Sequence, residues 1–510
     1  MSLKETKLLN FAKSKLLDLK RNYKKKDFNL NLYFDLAQWA SFFSLIDFFS
    51  TYHGAIPRNV KLYYNPSTQL FEPIVYDNHM GGTNYTNFSF IDFHTQNKFN
   101  YSKCGFVCDP THIEWFHLFF KNKEFIKLFV NHSHRIIDKF NNNYFANEIN
   151  EVENFNDAMY SVFAPSDRVF IAGILPYYMD LNHLKKRSKL IKAKIKQLKL
   201  EHIGNINQFN HKMIENNFCL NEQKKNYICN NEFVGKKIKI IDNFNLSGKD
   251  FVINDDEILI LTGKTYINQS KIYSKNGSMF VQLGGEIFIK DSIIKGLKNI
   301  DLNYVNWSGA VNFIKSSVIL DNVFLKKTKG EDSLNVVNSL INIKNGLNFE
   351  NIEADAFDSD FSEIKFDILN CLNIGNDCFD TSGSKVKGKN IYGDYIGDKL
   401  LSFGEKSLIN LNFAQCSKCG IGVAVKDSSF AEIGSIDFDE TKLPISVFKK
   451  KKNFSSATLK INMFKNDFNY KDYLIGFNSK IFFLDDKLIG FESDKDIKDK
   501  QYGNEFGKSS

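Results

Sequence analysis

The pattern of apolar and polar positions changes at about residue 235. Before it, apolar residues recur at helical spacing; after it, the helical period gives way to short apolar–polar alternations broken by Asn, Asp and Gly. A repeat is legible in this second half. Ser317, Ser339, Ser362, Ser384, Ser407 and Ser429 are spaced by 22, 23, 22, 23 and 22 residues. Each serine is expected to open a strand. Two residues on stand Ile319, Ile341, Ile364, Val386, Ile409 and Ala431. Four residues on, Ile343, Phe366, Leu411 and Ile433 keep the inward alternation, while Asp321 and Gly388 break it. Inward apolar residues that recur once per coil build a continuous solenoid core. The spacing therefore predicts a right-handed parallel β-helix with coils of about 22 residues over 235–448. The Leu-rich consensus and Asn ladder of a leucine-rich repeat are absent.

The first half reads as mixed α/β. Residues 28–52 are expected to form a helix packed on its aromatic side. Residues 60–64 and 71–76 should form two strands about the Asn65-Pro66 turn. Residues 112–129 and 134–145 should form two further helices. Residues 184–200 carry eight Lys or Arg, with Leu184, Ile191, Ile195 and Leu198 on one helical face. We divide the chain into a domain over 1–180, a basic linker helix and connector over 181–234, the β-helix over 235–448, and a C-terminal segment over 449–510. Lys449 to Lys452 are read as a loop after the last coils.

Composition changes this picture little. Of 510 residues, 43% are hydrophobic and 25% charged, as in an ordinary folded protein. The net charge of +8 accompanies an excess of Phe, Asn, Lys and Ile and only 7 Pro, which reads as AT-rich coding; no nucleic-acid partner is inferred. Eight cysteines do not make a disulfide scaffold. No apolar window is long enough for a transmembrane helix. Residues 1–26 form a lysine-rich amphipathic stretch without the apolar segment of a signal peptide. An envelope or extracellular place is expected only if the N-terminus is truncated. All ten histidines lie at or before residue 211, so the β-helix has no imidazole for chemistry.

The chemistry that remains is carboxylate chemistry. Asp332, Asp355 and Asp377 stand seven positions before successive repeat serines, and Asn335, Asp358 and Asp380 stand four before. Coils stack about 4.8 Å apart. Like charges at that distance repel by about 1 kcal/mol in water and several times more near a protein surface. Three arrangements relieve the repulsion. Calcium could bind across coils at Asp355, Asp358, Asp377 and Asp380. One carboxylate could hold its proton, which suits catalysis on a sugar by Asp355 and Asp377. Or each Asp could cap a backbone N–H.

The segments Asp355 to Asp360 (Asp-Ala-Phe-Asp-Ser-Asp) and Gly375 to Ser384 resemble the coils of pectin-lyase-like β-helix repeat proteins. A weaker similarity is to the polygalacturonase-type glycoside hydrolases. It places Asp355 and Asp377 at two family aspartates, Asn376 at the third, Asp398-Lys399 near the histidine motif and Lys426 at the final lysine, with Ala424 in place of the arginine. In the first half, His53, Asn59 and the stretch from Tyr63 to Asp77 resemble the spore-coat-protein-H (CotH) kinase family. That resemblance implies a partial kinase-like C-lobe in which Asn59 and Asp77 are the magnesium-side residues. The phosphate-binding N-lobe has no room before residue 30, so magnesium is expected only if the lobe is active.

Cys104, Cys108, His112 and His117 have the residue types of a zinc site without its spacing, so core packing is preferred. Cys416-x-x-Cys419 lacks a redox context. Cys371 and Cys378 are expected to pack inside the β-helix. The functional expectation is an envelope-associated β-helix protein that contacts polysaccharide, a surface protein or another elongated partner. The alternatives are a lyase or hydrolase using the β-helix aspartates, and a phosphotransferase fragment. An open groove flanked by stacked Asp side chains would favour the enzyme.

Overall fold

The computed structural model describes residues 3–25, 28–75, 87–96, 99, 105–146, 181–198, 209, 214–215, 236–302, 305–465, 473–484 and 486–503. Asp77 and Cys104 lie outside them. The chain divides into two compact units: Met1–Gln208 with Glu222–Cys229, and Phe209–Asn221 with Asn230–Ser510.

The first unit is mainly helical. Helices Leu3–Asn22, Leu36–Phe49, Pro110–Phe120, Lys123–Asn141 and Leu181–Gln197 accompany one antiparallel hairpin, Lys61–Asn65 with Leu70–Ile74. The hairpin falls where the Asn65-Pro66 turn placed it. The helix expected over 28–52 begins only at Leu36, because Asp35 caps it by accepting the Gln38 N–H at 3.0 Å. The two later helices meet at residue 122, not near residue 130. Asn122 accepts the N–H groups of Glu124 and Phe125, both at 2.9 Å, and so starts a new helix early.

The basic helix is no linker. Leu184, Ile191 and Ile195 join the aromatic core built on Trp39, Phe43, Phe90 and Phe119. Arg187 is buried with them. It donates to the carbonyls of Asp47 and Phe88, both at 2.6 Å, and pairs with the Asp47 carboxylate at 3.0 Å. A charge count could not show that this one cation points inward.

The second unit is a parallel β-helix of about eleven coils. Its corners explain the serine period. Lys315, Asn338, Phe361, Gly383, Lys406, Ser428 and Asn478 all have φ between 50° and 67°, and each precedes a serine. One left-handed residue bends the chain sharply between two faces. The next serine then fixes the coil spacing. Ser362 Oγ accepts the Ser339 N–H at 3.0 Å, Ser384 Oγ accepts that of Ser362 at 3.1 Å, and Ser407 Oγ accepts that of Ser384 at 3.2 Å.

The ladder corrects one register. Its first member is Ser316, whose N–H donates to Ser339 Oγ at 3.0 Å, and not Ser317, which pairs with Leu340. Val318 and Leu320 therefore point inward in place of Ile319 and Asp321, and the break at Asp321 disappears. The break at Gly388 has a steric cause. A Cβ there would come within 2.1 Å of the Phe366 ring, which fills that layer of the core.

Cys371 and Cys378 are buried and joined as a disulfide, as are Cys416 and Cys419. The two pairs lie 7 and 3 residues apart in sequence, so they pin single coils rather than organise the fold. The solenoid also runs beyond residue 448. Thr458–Phe464, Tyr473–Ile475 and Lys480–Phe483 continue the stack. An antiparallel strand, Asp486–Ile489, then occupies the edge of Lys480–Phe483, and helix Asp494–Gln501 follows.

Ser384→Ala tests the corner ladder. It leaves the buried N–H of Ser362 without an acceptor, so the urea midpoint should fall at an unchanged m-value, by an amount that corresponds to a loss of about 1–3 kcal/mol of stability.

An acidic cleft on one face of the solenoid

Three columns of outward-reaching side chains meet on one face. Strands Asp332–Val337, Asp355–Asp360 and Phe379–Ser382, followed by residues 399–404 and 421–426, place equivalent residues directly above one another. One column runs Asp332, Asp355, Asp377, Lys399. A second runs Asn335, Asp358, Asp380, Ser402. A third runs Val337, Asp360, Ser382, Gly404, Lys426. The aspartates of these columns, with Ser382, Lys399 and Lys426, line an open cleft of about 830 Å³. The four predicted aspartates Asp355, Asp358, Asp377 and Asp380 all border it.

The walls come from departures from the period. Between Val311 and Ile445, register partners on this face lie 22 or 23 residues apart. From Phe280 to Val311 the interval is 31, and from Ile445 to Tyr473 it is 28. The first excess supplies Asn306 and Ser308 to the cleft; the second supplies Lys450 and Lys451. The run of four lysines is thus an insertion between coils, not a loop after them. The C-terminal helix brings Tyr502, whose ring lies 5.3 Å from Lys399 Nζ and 4.3 Å from Lys450 Nζ.

The first column shows how like charges are held together. Asp355 Oδ1 accepts the Asp377 N–H at 3.0 Å and also the Asn376 amide. Asp377 Oδ1 accepts the Lys399 N–H at 3.1 Å and Lys399 Nζ at 3.3 Å. Lys399 Nζ also bonds Asp398 Oδ2. Backbone capping and ion pairing therefore both operate. Asp355 and Asp377 each commit one oxygen to the scaffold. Among the described residues, the second oxygen of Asp355 and of Asp377 has no hydrogen-bond partner. Two further acceptors in the lining, Asn376 Oδ1 and Asp398 Oδ1, are buried without a donor. Such acceptors favour a ligand rich in O–H or N–H groups.

Burial, and then the neighbouring Asp377 charge, push the Asp355 carboxyl up to about 7. Burial and Asp380 push Asp360 to about 6, and burial and Asp377 push Asp398 to about 6. Asp332 is driven well above the usual carboxylate range by burial and Asp355, and Asp358 by burial and Asp332. Burial works against the charge on Lys399, but the carboxylates of Asp377 and Asp398 outweigh it and raise the ammonium pKa. Burial likewise opposes the Tyr502 phenolate, yet Lys426, Lys399 and Lys450 lower that group below its ordinary value.

Among the described residues, no group of three or more His, Cys, Asp or Glu side chains is arranged to hold a metal ion. The other predicted residues sit elsewhere. Asn59 spends its amide on the His53 carbonyl at 3.1 Å, within the first unit. Cys108 is disulfide-bonded, so it offers no thiolate to zinc. Asp360, Glu405, Lys450, Lys451 and Tyr502 escaped the sequence reading. Asp360 alone had a signal, as the last acid of the Asp-Ala-Phe-Asp-Ser-Asp coil.

Comparisons with protein-family models, with curated proteins and with solved structures find no match for this chain.

The raised carboxyls predict the sign of the pH dependence. A folded-state pKa above the unfolded value of about 3.9 means that the folded state binds more protons. Stability from Asp355, Asp360 and Asp398 is thus fully present below pH ~4 and is lost as the pH rises through about 6 to 7. The contribution of these groups to the melting temperature should fall between pH 5 and 8 (roughly the range of those pKa values), and Asp355→Asn should flatten that slope. An unchanged slope in the variant would refute the assignment.

Proposed function

We propose that the second unit is a carbohydrate-active enzyme, which cleaves a polysaccharide laid across the acidic cleft by general acid–base catalysis. The observation that carries this reading is the pairing of Asp355, pushed to about 7, with Asp377 on the next coil, beside the Lys399 ammonium. A carboxyl that holds its proton near neutrality can donate it to a leaving oxygen, while a neighbouring carboxylate paired with a cation acts as base. The open cleft supports an extended polymer rather than a small enclosed ligand. Its unpartnered acceptors suit sugar hydroxyls.

Asp355 is the proton donor in this reading, Asp377 the base, and Lys399 and Lys426 the cations that steady developing negative charge. Tyr502, whose ring lies beside Lys399 and Lys450, is a second proton-transfer group. Hydrolase and lyase chemistry differ in their products, since elimination leaves an unsaturated sugar and hydrolysis does not.

The capping bonds favour a second reading, in which the acids only shape a binding surface. Asp355 and Asp377 each hold the next coil's backbone N–H.

Incubation with polygalacturonate, alginate and a neutral β-glucan separates the two. Release of reducing ends or of an unsaturated product is expected from one of them. Asp355→Asn and Asp377→Asn should each slow release by about 10²–10⁴-fold. Binding without product from any polymer would refute the enzyme reading. The same proteins test calcium at Asp355, Asp358, Asp377 and Asp380. A melting temperature raised by calcium in the wild type, and insensitive to it when Asp355→Asn and Asp377→Asn are combined, would place the ion there.

A further inference from the structure

Helix Leu3–Asn22 of the first unit presents two different faces. Its inward side is anchored. Leu19 joins the aromatic core, Lys15 Nζ donates to the Gln69 carbonyl at 2.5 Å, and Asp18 accepts the Tyr33 hydroxyl at 2.6 Å. Asp18 is the one acid between residues 6 and 22, so over that stretch the outward side keeps none. Leu9, Leu16 and Leu17 are 42%, 41% and 54% exposed, among the exposed cations Lys7, Lys13, Lys20 and Arg21. Lys13 lies four residues after Leu9, Leu16 and Leu17 lie three and four after Lys13, and Lys20 lies four and three after them. That spacing sets leucines and lysines side by side on one stripe of the helix.

The stripe borders a hollow. Leu16, Leu17 and Lys20 line a mostly apolar pocket of about 390 Å³, to which helix Pro110–Phe120 contributes Trp115 and Leu118. Glu114 also lines it and is paired with Lys24 at 3.1 Å, so its charge is met. Cations and apolar groups are thus exposed together, next to a recess that suits hydrocarbon. An acidic polymer would engage the lysines and leave the leucines and the hollow unused. An apolar protein groove would have to bury the lysines without counter-charges. A bilayer surface offers both, because anionic headgroups lie directly over acyl chains and lysine stems reach past leucines to the phosphates.

We propose that this face docks the first unit on an anionic phospholipid bilayer. The helix lies in the plane of the interface, Leu9, Leu16 and Leu17 enter the acyl boundary, the cations meet headgroup phosphates, and an acyl chain occupies the hollow. The contact is peripheral: no described helix is long and apolar enough to cross a membrane. It is independent of the polysaccharide reading, since all its residues belong to the first unit.

The test floats the full chain in a density gradient with vesicles of phosphatidylcholine, alone or mixed with phosphatidylglycerol, and follows each protein by thermal melting. Wild type should float with the mixed vesicles and stay behind with phosphatidylcholine alone. Leu16→Ser combined with Leu17→Ser should lower the partition constant by about tenfold or more. Lys13→Glu combined with Lys20→Glu should lower it by about the same factor. Neither pair should move Tm, because the side chains are exposed in the folded state. If the leucine pair does lower Tm, Leu17→Ser alone, at the most exposed of the three leucines, carries the test. Wild type that does not float with the mixed vesicles overturns the proposal. Flotation that is lost with the lysines but survives the leucine change also overturns it, since the face then reads charge alone, as for an acidic polymer. Equal flotation on both kinds of vesicle overturns the requirement for anionic lipid and the proposal with it.

Discussion

Main-chain hydrogen bonding between coils sets everything else in the second unit. Parallel pairing forces equivalent residues to stack about 4.8 Å apart, whatever their side chains. Apolar columns gain from this, and Leu334, Phe357, Phe379, Leu401, Val423 and Ile445 form one such column through the core. Serine columns gain as well, because each hydroxyl meets the N–H of the coil beside it. Carboxylate columns do not gain. Asp332, Asp355 and Asp377 are brought into register by the same bonds that stack the leucines.

The cleft is a response to that constraint. Part of the repulsion is removed by capping, part by the lysine that ends the column, and part by protons retained near neutral pH. A single uncharged or cationic residue in place of Asp355 would ease the stack. The fold thus maintains a set of carboxyls whose charge is expensive, which is the condition general acid catalysis requires. The same groups make the unit less stable as the pH rises, so any catalytic advantage is linked to a loss of stability.

The first unit is organised differently. Its core is a packing of aromatic rings, with Phe43 in contact with Phe90, Phe116, Phe119, Phe120 and Phe125. Arg187 joins the last described helix of this unit to the Asp47 region through buried hydrogen bonds. Removing one partner would strand a charge away from water, a far larger penalty than the loss of an exposed pair.

The sequence by itself determined the period of the solenoid, the inward apolar columns and the stacking of Asp355 on Asp377 and Asp358 on Asp380. The period and the apolar columns are restated by successive coils, and the acid stacks follow from that period on the coils that carry them. It also placed the hairpin of the first unit, where turn chemistry acts over a few residues. Only the tertiary structure decided that Ser316 and not Ser317 enters the ladder, because a one-residue slip is resolved by the neighbouring coil. Only the tertiary structure turned the residue 184–200 pattern into a core helix, since amphipathicity reports that a face is buried but not against what. The walls of the cleft belong to the same class. Lys450, Lys451 and Tyr502 lie outside the repeat and reach the acids through space, so no spacing in the chain announces them.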